Sequence, residues 1–153
     1  MTHAVTIVMG VTGAGKSSWA AAEATATGAR FIEGDDFHSR AARDRMTRGM
    51  ALDDADRLPW LDRIARACIR ERAHRPVVAS CSALRLCYRN RLRAAIPAPL
   101  AFVFLDVPRA ELERRLDARQ GHFASPALLD SQLAALEAPL GEPDVRRIAI
   151  WRT

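Results

Sequence analysis

Residues 10–17 read Gly10-Val11-Thr12-Gly13-Ala14-Gly15-Lys16-Ser17, which matches the pattern G-x-x-x-x-G-K-[ST] in full. The residues before this loop, Val5-Thr6-Ile7-Val8-Met9, form a short apolar run that is typical of a buried parallel strand. The residues after it, from about Lys16 to Thr27, predict a helix that ends at Gly28. A strand, a glycine-rich loop and a helix in this order predict a parallel α/β fold with a phosphate-binding loop at its start.

The residue types of this loop, the P-loop, are those that a bound phosphate group requires. Glycines let backbone N–H groups approach a phosphate without a Cβ atom in the way, and the following helix directs its N-terminus at the same group. We expect Lys16 to reach the β and γ oxygens of ATP, and the Ser17 hydroxyl to hold Mg²⁺. Lys16 is also the single lysine among 23 basic residues, which favours a role that needs a compact ammonium group. The predicted ATP site comprises Gly10, Thr12, Gly13, Ala14, Gly15, Lys16, Ser17 and Ser18.

Apolar runs and helical patterns alternate along the rest of the chain. Strands are predicted at residues 30–33, 76–80, 100–105 and 147–151, and helices at residues 39–49, 59–73, 84–94 and 108–119 and from residue 125. Pro59 is expected in the first turn of its helix, after a cap formed by Asp53 or Asp54. A chain of 153 residues has the length of one domain. The sequence therefore predicts a single α/β domain over residues 1–153, with a mostly parallel sheet flanked by helices on both faces.

The formal net charge of +5 favours an anionic partner, either nucleic acid or ATP together with a carboxylate substrate. The arginines are spread over predicted helix faces, without the arm or recognition helix of a nucleic-acid surface, so we expect no nucleic-acid partner. Three cysteines without a CxxC pair indicate neither a disulfide framework nor a zinc site. Because no apolar run is long enough for a membrane span or a signal sequence, we expect a cytoplasmic protein with no membrane partner.

Asp35 and Asp36 directly follow the second predicted strand. Ligands of a parallel sheet gather beyond the carboxyl ends of its strands, so at least one of these carboxylates is expected to face the P-loop. There Asp35 would accept the proton of an attacking hydroxyl or hold that hydroxyl in line with a phosphate. The alternative is that both residues only cap a turn. The short chain leaves little room for switches or partner domains, which favours a metabolite kinase over a GTPase or a motor ATPase.

Further motifs follow one another in a specific order. They are Glu33-Gly34-Asp35-Asp36-Phe37-His38, Asp54-x-Asp56-Arg57-x-Pro59-Trp60-Leu61, Cys81-Ser82-Ala83-Leu84-Arg85-x-x-Tyr88-Arg89, Arg119-x-Gly121-His122-Phe123 and Ser131-Gln132-Leu133-x-x-Leu136-Glu137. In this order and spacing, from the P-loop to about Pro139, the chain resembles the gluconokinase family of the thermoresistant type, among the P-loop small-molecule kinases. The resemblance implies a fold similar to those of nucleoside monophosphate and shikimate kinases, with a short lid at about residues 115–126.

The same resemblance implies a transferase of carbohydrate metabolism that phosphorylates D-gluconate to 6-phospho-D-gluconate with ATP and Mg²⁺. It also implies a homodimer. Catalysis would rest on Lys16, Asp35 and the lid arginine Arg119, for which Arg115 is the alternative. Ser17 and Asp35 would hold the metal ion.

The resemblance also implies a substrate site between the P-loop and the motifs that follow it. The residues implied in substrate binding are Asp35, His38, Arg57, Arg85, Arg89 and His122. A sugar acid presents a carboxylate, which Arg85 or Arg89 is expected to grip with a bidentate fork. Arg57 is either a contact to substrate or phosphate, or one half of a structural ion pair.

Several positions depart from the family pattern. Ser39 stands where the family has proline, Ala42 where it has asparagine and Arg45 where it has lysine, and Ala51 and Ala124 are further departures. These departures leave open a P-loop kinase for another small hydroxy acid, such as shikimate or another aldonate. The lack of leucine in the first predicted helix motivates a second alternative, a catalytically weakened ATP-binding homologue. A third alternative, an RNA-binding ATPase, rests on the net charge.

Overall fold

The structure, a computed structural model, describes residues 2–118 and 126–150. The helices and strands in these ranges are β1 (Val5–Met9), α1 (Lys16–Thr27), β2 (Arg30–Glu33), α2 (Arg40–Thr47), α3 (Asp54–Glu71), β3 (Val77–Ser80), α4 (Leu86–Ala95), β4 (Leu100–Asp106), α5 (Arg109–Ala118), α6 (Pro126–Ala135) and β5 (Val145–Ala149). A 3-10 turn at Gly34–Phe37 follows β2. No helix in the described ranges is long and apolar enough to span a bilayer.

The strands form one parallel sheet in the order β2-β3-β1-β4-β5. Val8 of β1 pairs with Ser80 of β3 and with Val103 of β4, so the carboxyl ends of these strands lie at one edge. The P-loop leaves β1 at this edge, and Asp35 follows β2 at the same edge. The predicted parallel α/β fold is confirmed, and its topology brings the P-loop and Asp35 to the same side of the sheet.

Helices cover both faces of this sheet. On one face, α3 and α4 contribute Leu61 and Leu92 to the core, whereas on the other face α1 and α5 contribute Ala24 and Leu112. The buried residues of α1 are both alanines, Ala20 and Ala24. Small side chains let this helix lie close to the strands, so its lack of leucine fits its packing. The composition of α1 therefore gives no support to a weakened homologue.

Two predicted boundaries are wrong. Helix α3 begins at Asp54, so Pro59 lies in its second turn rather than its first. The start is set by a capping box, in which the Asp53 carboxylate accepts from the Asp56 N–H and the Asp56 carboxylate accepts from the Asp53 N–H. Strand β5 begins at Val145, two residues before the predicted start, because its pairing with β4 sets its position.

Candidate active site

The P-loop connects β1 to the N-terminus of α1, as the sequence predicts. Gly10 and Gly15 have φ angles of +151° and +90°, a region of backbone conformation that favours glycine. A Cβ atom at Gly10 would also lie 3.2 Å from the carbonyl oxygen of Leu105. The turn therefore requires glycine at its start. Within the loop, the N–H groups of Gly10 and Ala14 donate to the carbonyl oxygens of Ser82 and Val11. The N–H groups of the first turn of α1 are the ones directed at a phosphate.

Two side-chain contacts hold the P-loop in this conformation. The Lys16 ammonium donates to the Val11 carbonyl at 3.0 Å, which places the positive charge over the loop. Gln132 of α6 accepts from the Thr12 N–H at 2.6 Å through its Oε1 atom. Sequence reasoning assigned no role to Gln132, although the Ser131-Gln132 motif was the signal that could have found it. The amide of Gln132 ties α6 to the nucleotide site.

One pocket adjoins the P-loop at the carboxyl edge of the sheet. It is lined by Thr12, Lys16, Asp35, His38, Met46, Leu52, Arg57, Trp60, Ser82, Leu84, Leu128 and Gln132. Five of the predicted site residues thus line one cavity: Thr12, Lys16, Asp35, His38 and Arg57. The pocket combines an ammonium, a carboxylate, an imidazole and a guanidinium, which is a set suited to an anionic polyol beside a nucleotide phosphate.

Asp35 lies in the turn after β2 and lines this pocket. Partial burial raises the pKa of its carboxyl group, while the nearby positive charge of Lys16 opposes that shift. About half of the side chain stays exposed, at 52%, so water limits the rise. A carboxylate that is poised in this way can accept a proton from a hydroxyl group in the pocket.

His38 is nearly buried beside Asp35, with 5% of its side chain exposed and its Nε2 atom 3.7 Å from the Asp35 Oδ1 atom. Its ring stacks on Trp60, with the ring centroids 4.2 Å apart. Burial, and then the positive charges of nearby arginines, lower the pKa of His38 to about 4. The imidazole is therefore neutral at pH 7. Its Nδ1 atom is buried and has no hydrogen-bond partner in the described part of the chain.

We expect the buried, neutral state of His38 to make the protein less stable in mild acid. The unfolded chain binds a proton at this side chain below its ordinary pKa of about 6.5, whereas the folded chain resists protonation until about pH 4. The unfolding free energy should therefore fall between pH 7 and pH 5 by on the order of 1–2 kcal/mol from this group. Urea unfolding at both pH values measures the difference.

His38→Phe, which keeps a ring against Trp60, should reduce this pH difference by the same amount. The control is His74→Phe at an exposed histidine, which should leave the difference as in the wild type. An unchanged pH difference in His38→Phe would show that His38 titrates normally in the folded protein.

Arg89, which is predicted to bind a substrate carboxylate, is not among the described residues that line the pocket. Arg89 is completely buried, and its guanidinium donates to both Glu142 carboxylate oxygens at 2.9 and 2.8 Å. The guanidinium also donates to the carbonyl oxygens of Ala83 and Glu137, at 2.8 Å each. Arg85 is exposed at the N-cap of α4 and is not among the described residues that line the pocket. Of the arginines proposed for the substrate, Arg57 is the one that the pocket contains.

The predicted lid is described only in part. Arg119 and His122 lie outside the described residues, so their predicted roles stay predictions. Arg115, the alternative lid arginine, lies on α5 and donates through Nη1 to the Gly13 carbonyl at 2.9 Å. Its Nε atom donates to Glu111 of the same helix at 3.0 Å. Arg115 thus places a guanidinium directly on the P-loop.

The departures at residues 39, 42 and 45 have structural explanations. Ser39 is the N-cap of α2, where its Oγ atom accepts from the Ala42 N–H at 3.1 Å. The Ala42 side chain is buried against Met46 and Leu52. Arg45 forms an ion pair with Asp56 in α3. These residues build α2 and attach it to α3, and none of the three lines the pocket.

Comparison with known proteins gives one matching domain family and several gluconokinases that are similar to nearly the whole chain. The chain matches the AAA domain family over residues 5–139. It is 43% identical over 145 residues to the gluconokinase of Gluconobacter oxydans (strain 621H), a match that covers 94% of this chain and 80% of the relative. The thermosensitive gluconokinase of Escherichia coli (strain K12) is 40% identical over 146 residues, which cover 94% of this chain and 78% of that protein.

Solved structures agree with this assignment. The structure of a gluconokinase from Sinorhizobium meliloti 1021 matches with a TM-score of 0.85 and 41% identity, covering 98% of this chain and 84% of that one. The APS kinase CysC of Mycobacterium tuberculosis, at 20% identity and a TM-score of 0.64, supports the fold alone. The predicted kinase fold and the resemblance seen in the motifs are both confirmed. From its P-loop, its motif order and these matches, the chain belongs to the gluconokinase family.

Proposed function

We propose that this protein is a gluconokinase, which transfers the γ-phosphate of ATP to the 6-hydroxyl of D-gluconate and yields 6-phospho-D-gluconate. The observation that carries the proposal is the single pocket in which Lys16 and the P-loop meet Asp35, His38 and Arg57. Lys16 and the P-loop would bind the phosphates of ATP. Asp35, His38 and Arg57 would bind the hydroxyl groups and the carboxylate of the sugar acid. The family membership supports the same reaction.

In this proposal Asp35 is the general base. The hydroxyl oxygen of the substrate forms a bond to the γ-phosphorus, the bond from that phosphorus to the bridging oxygen of ADP breaks, and the hydroxyl proton passes to Asp35. The Asp35 carboxylate lies in the pocket beside Lys16, where it can accept this proton. Lys16 and the backbone N–H groups of the P-loop stabilise the charge on the transferring phosphoryl group.

The residues on either side of the pocket suit a magnesium ion that arrives with the nucleotide. The Ser17 hydroxyl is exposed at the N-terminus of α1, and Asp35 offers a carboxylate across the pocket. Two protein oxygens match the preference of Mg²⁺, which keeps several water ligands. When bound, the ion would neutralise phosphate charge during transfer.

Recognition of the substrate carboxylate falls to Arg57 in this proposal. Among the described residues that line the pocket, Arg57 is the arginine, and its guanidinium can form charge-assisted hydrogen bonds to a carboxylate. The neutral imidazole of His38 would bond to a hydroxyl of the sugar acid. We further propose that Arg119 or Arg115 acts from the lid and that His122 contacts the substrate. A single domain over residues 1–153, a homodimer and a cytoplasmic location complete the proposal.

A coupled ADP-release assay tests this function directly. Purified protein with Mg²⁺ and ATP is offered D-gluconate, other aldonates, shikimate and glycerate, and we expect turnover with D-gluconate well above the others.

Asp35→Asn should lower kcat by about 10²–10⁴-fold because the general base is lost. The control is Asp36→Asn, the exposed neighbour outside the described pocket lining, which should keep near wild-type turnover.

Each outcome of this assay has a different meaning. Faster turnover with shikimate or another aldonate would contradict D-gluconate as the acceptor and support the kinase for a different hydroxy acid. ATP binding without release of ADP for any acceptor would support the weakened homologue. Binding of RNA at physiological salt would support the RNA-binding ATPase, and the absence of RNA binding would exclude that alternative.

A further inference from the structure

The hydroxyl group of Tyr88 lies between Asp54 and Arg57, two residues of the first turns of α3. The Tyr88 hydroxyl donates to the Asp54 Oδ1 atom at 2.6 Å, and the Arg57 Nη1 atom donates to the Tyr88 hydroxyl at 3.1 Å. The Arg57 guanidinium also lies over the Tyr88 ring, 5.6 Å from its centroid. Tyr88 itself belongs to α4 and is 2% exposed. A buried side chain of one helix thus joins two side chains of another.

Arg57 differs from most of the other arginines that form side-chain contacts, because it does not form a direct ion pair with a carboxylate in the described part of the chain. Direct ion pairs with a carboxylate are formed by Arg43, Arg45, Arg89, Arg91, Arg93, Arg109, Arg114, Arg115 and Arg147. Arg57 has no carboxylate within 4.0 Å in the described part of the chain, and a neutral hydroxyl separates it from Asp54. The guanidinium is therefore held in place without being neutralised by a direct ion pair.

We propose that Tyr88 is a positioning residue whose hydroxyl, oriented by the Asp54 carboxylate, holds the Arg57 guanidinium in the pocket with its charge available to the carboxylate of the sugar acid. This inference rests on the proposed function, because it assigns the anion that Arg57 receives. The intervening hydroxyl matters because an arginine already paired with a carboxylate would have to give up that partner before binding an anionic substrate.

The state of the Tyr88 hydroxyl agrees with this role. Burial and the hydrogen bond to Asp54 raise the pKa of Tyr88 above its ordinary value. The hydroxyl thus stays protonated, so it can donate to Asp54 and accept from Arg57 at the same time.

Tyr88→Phe removes the hydroxyl and keeps the aromatic ring. Arg57 then loses its acceptor, and Asp54 becomes its competing partner. We expect the KM for D-gluconate to rise by about 10-fold or more, since a hydrogen bond to a charged group is lost. The KM for ATP should stay within about 2-fold of the wild-type value, because the P-loop is untouched. Steady-state kinetics with each substrate varied in turn measure this split.

A double variant tests whether Tyr88 acts through Arg57. Arg57→Ala alone should raise the KM for D-gluconate, and adding Tyr88→Phe should cause no further rise. Leu92→Val, a change to a buried residue of the same helix outside the pocket lining, controls for general loosening of α4. It should lower the thermal midpoint and leave both KM values unchanged. Equal rises in both KM values for Tyr88→Phe, or additive effects in the double variant, would overturn the proposal.

A second variant provides an independent measurement if Tyr88→Phe does not fold. Asp54→Asn, at an exposed position in the first turn of α3, weakens the orientation of the hydroxyl and should raise the KM for D-gluconate in the same direction. An unchanged KM for D-gluconate in Asp54→Asn would also overturn the positioning role. If instead the wild-type protein phosphorylates no sugar acid, the proposed function fails and this inference fails with it. Normal wild-type activity with an unaffected Tyr88→Phe variant would overturn the positioning role alone.

Discussion

Lys16→Ala is expected to lower kcat by about 10³-fold or more and to leave the fold intact. Lys16 is the single lysine of the chain, and its ammonium group lies over the P-loop with the Val11 carbonyl at 3.0 Å. Removal of one preorganised donor from a charged transition state commonly costs about 10²–10³-fold in rate, and a full positive charge is lost here as well. The hydrogen bond to Val11 is worth only about 1 kcal/mol to stability, so the variant should remain folded.

Turnover at saturating ATP and D-gluconate, together with a thermal unfolding curve, measures both parts of this prediction. Lys16→Arg is the matched control, because it keeps the positive charge and replaces the compact ammonium with a planar fork. We expect kcat of Lys16→Arg to lie well below the wild-type value as well, because the guanidinium does not reproduce the geometry of the ammonium group. A kcat within a few-fold of the wild-type value in Lys16→Ala would refute the assignment of Lys16 as a catalytic residue.

Arg89→Met is expected to destabilise the protein by about 3–5 kcal/mol, because it removes the four hydrogen bonds of a buried guanidinium and leaves two carbonyl oxygens without their donor. Glu142 keeps its ion pair with Arg93, so its carboxylate is not left unpaired. Arg89 connects the loop after β3, through Ala83, to the segment after α6, through Glu137 and Glu142. Ala83 has a φ angle of +45°, which is unfavourable for a residue with a side chain, and the bond from Arg89 helps to hold it there. Since a domain has only about 5–15 kcal/mol of stability in total, this loss is large.

Urea unfolding of the wild type, Arg89→Met and Arg85→Ala measures the effect. Arg85 is exposed and lies in the same motif, so Arg85→Ala should change the unfolding free energy by no more than about 0.5 kcal/mol. The folded fraction of Arg89→Met should keep its KM for D-gluconate, because Arg89 does not reach the pocket. A stable Arg89→Met protein with a strongly raised KM for D-gluconate would instead support the direct substrate contact that the motif suggested.

Local sequence signals predicted most of the fold correctly. The P-loop pattern predicted the loop between β1 and α1, and Gly28 predicted the end of α1, where the glycine adopts a φ angle of +69°. These features depend on a few neighbouring residues, so they can be read from the chain directly. The start of α3 is also encoded locally, and the predicted cap at Asp53 or Asp54 is confirmed as Asp53, which forms a capping box with Asp56. The position of β5 depends on its pairing with a distant strand, which no local signal reports.

Some residues of the candidate site could be identified from local sequence, whereas others became apparent only in the tertiary structure. By itself the sequence determined the nucleotide loop, the family, and the presence of Asp35 and His38 beside that loop, since these follow from short motifs and from the parallel order of the strands. Only the tertiary structure shows which of the predicted arginines lines the pocket. Arg89 pairs with a carboxylate 53 residues away, whereas Arg57 meets a tyrosine 31 residues away and faces the cavity. Arginines in adjacent motifs look alike in sequence, because burial and the charge partner of each side chain arise only when distant segments pack together.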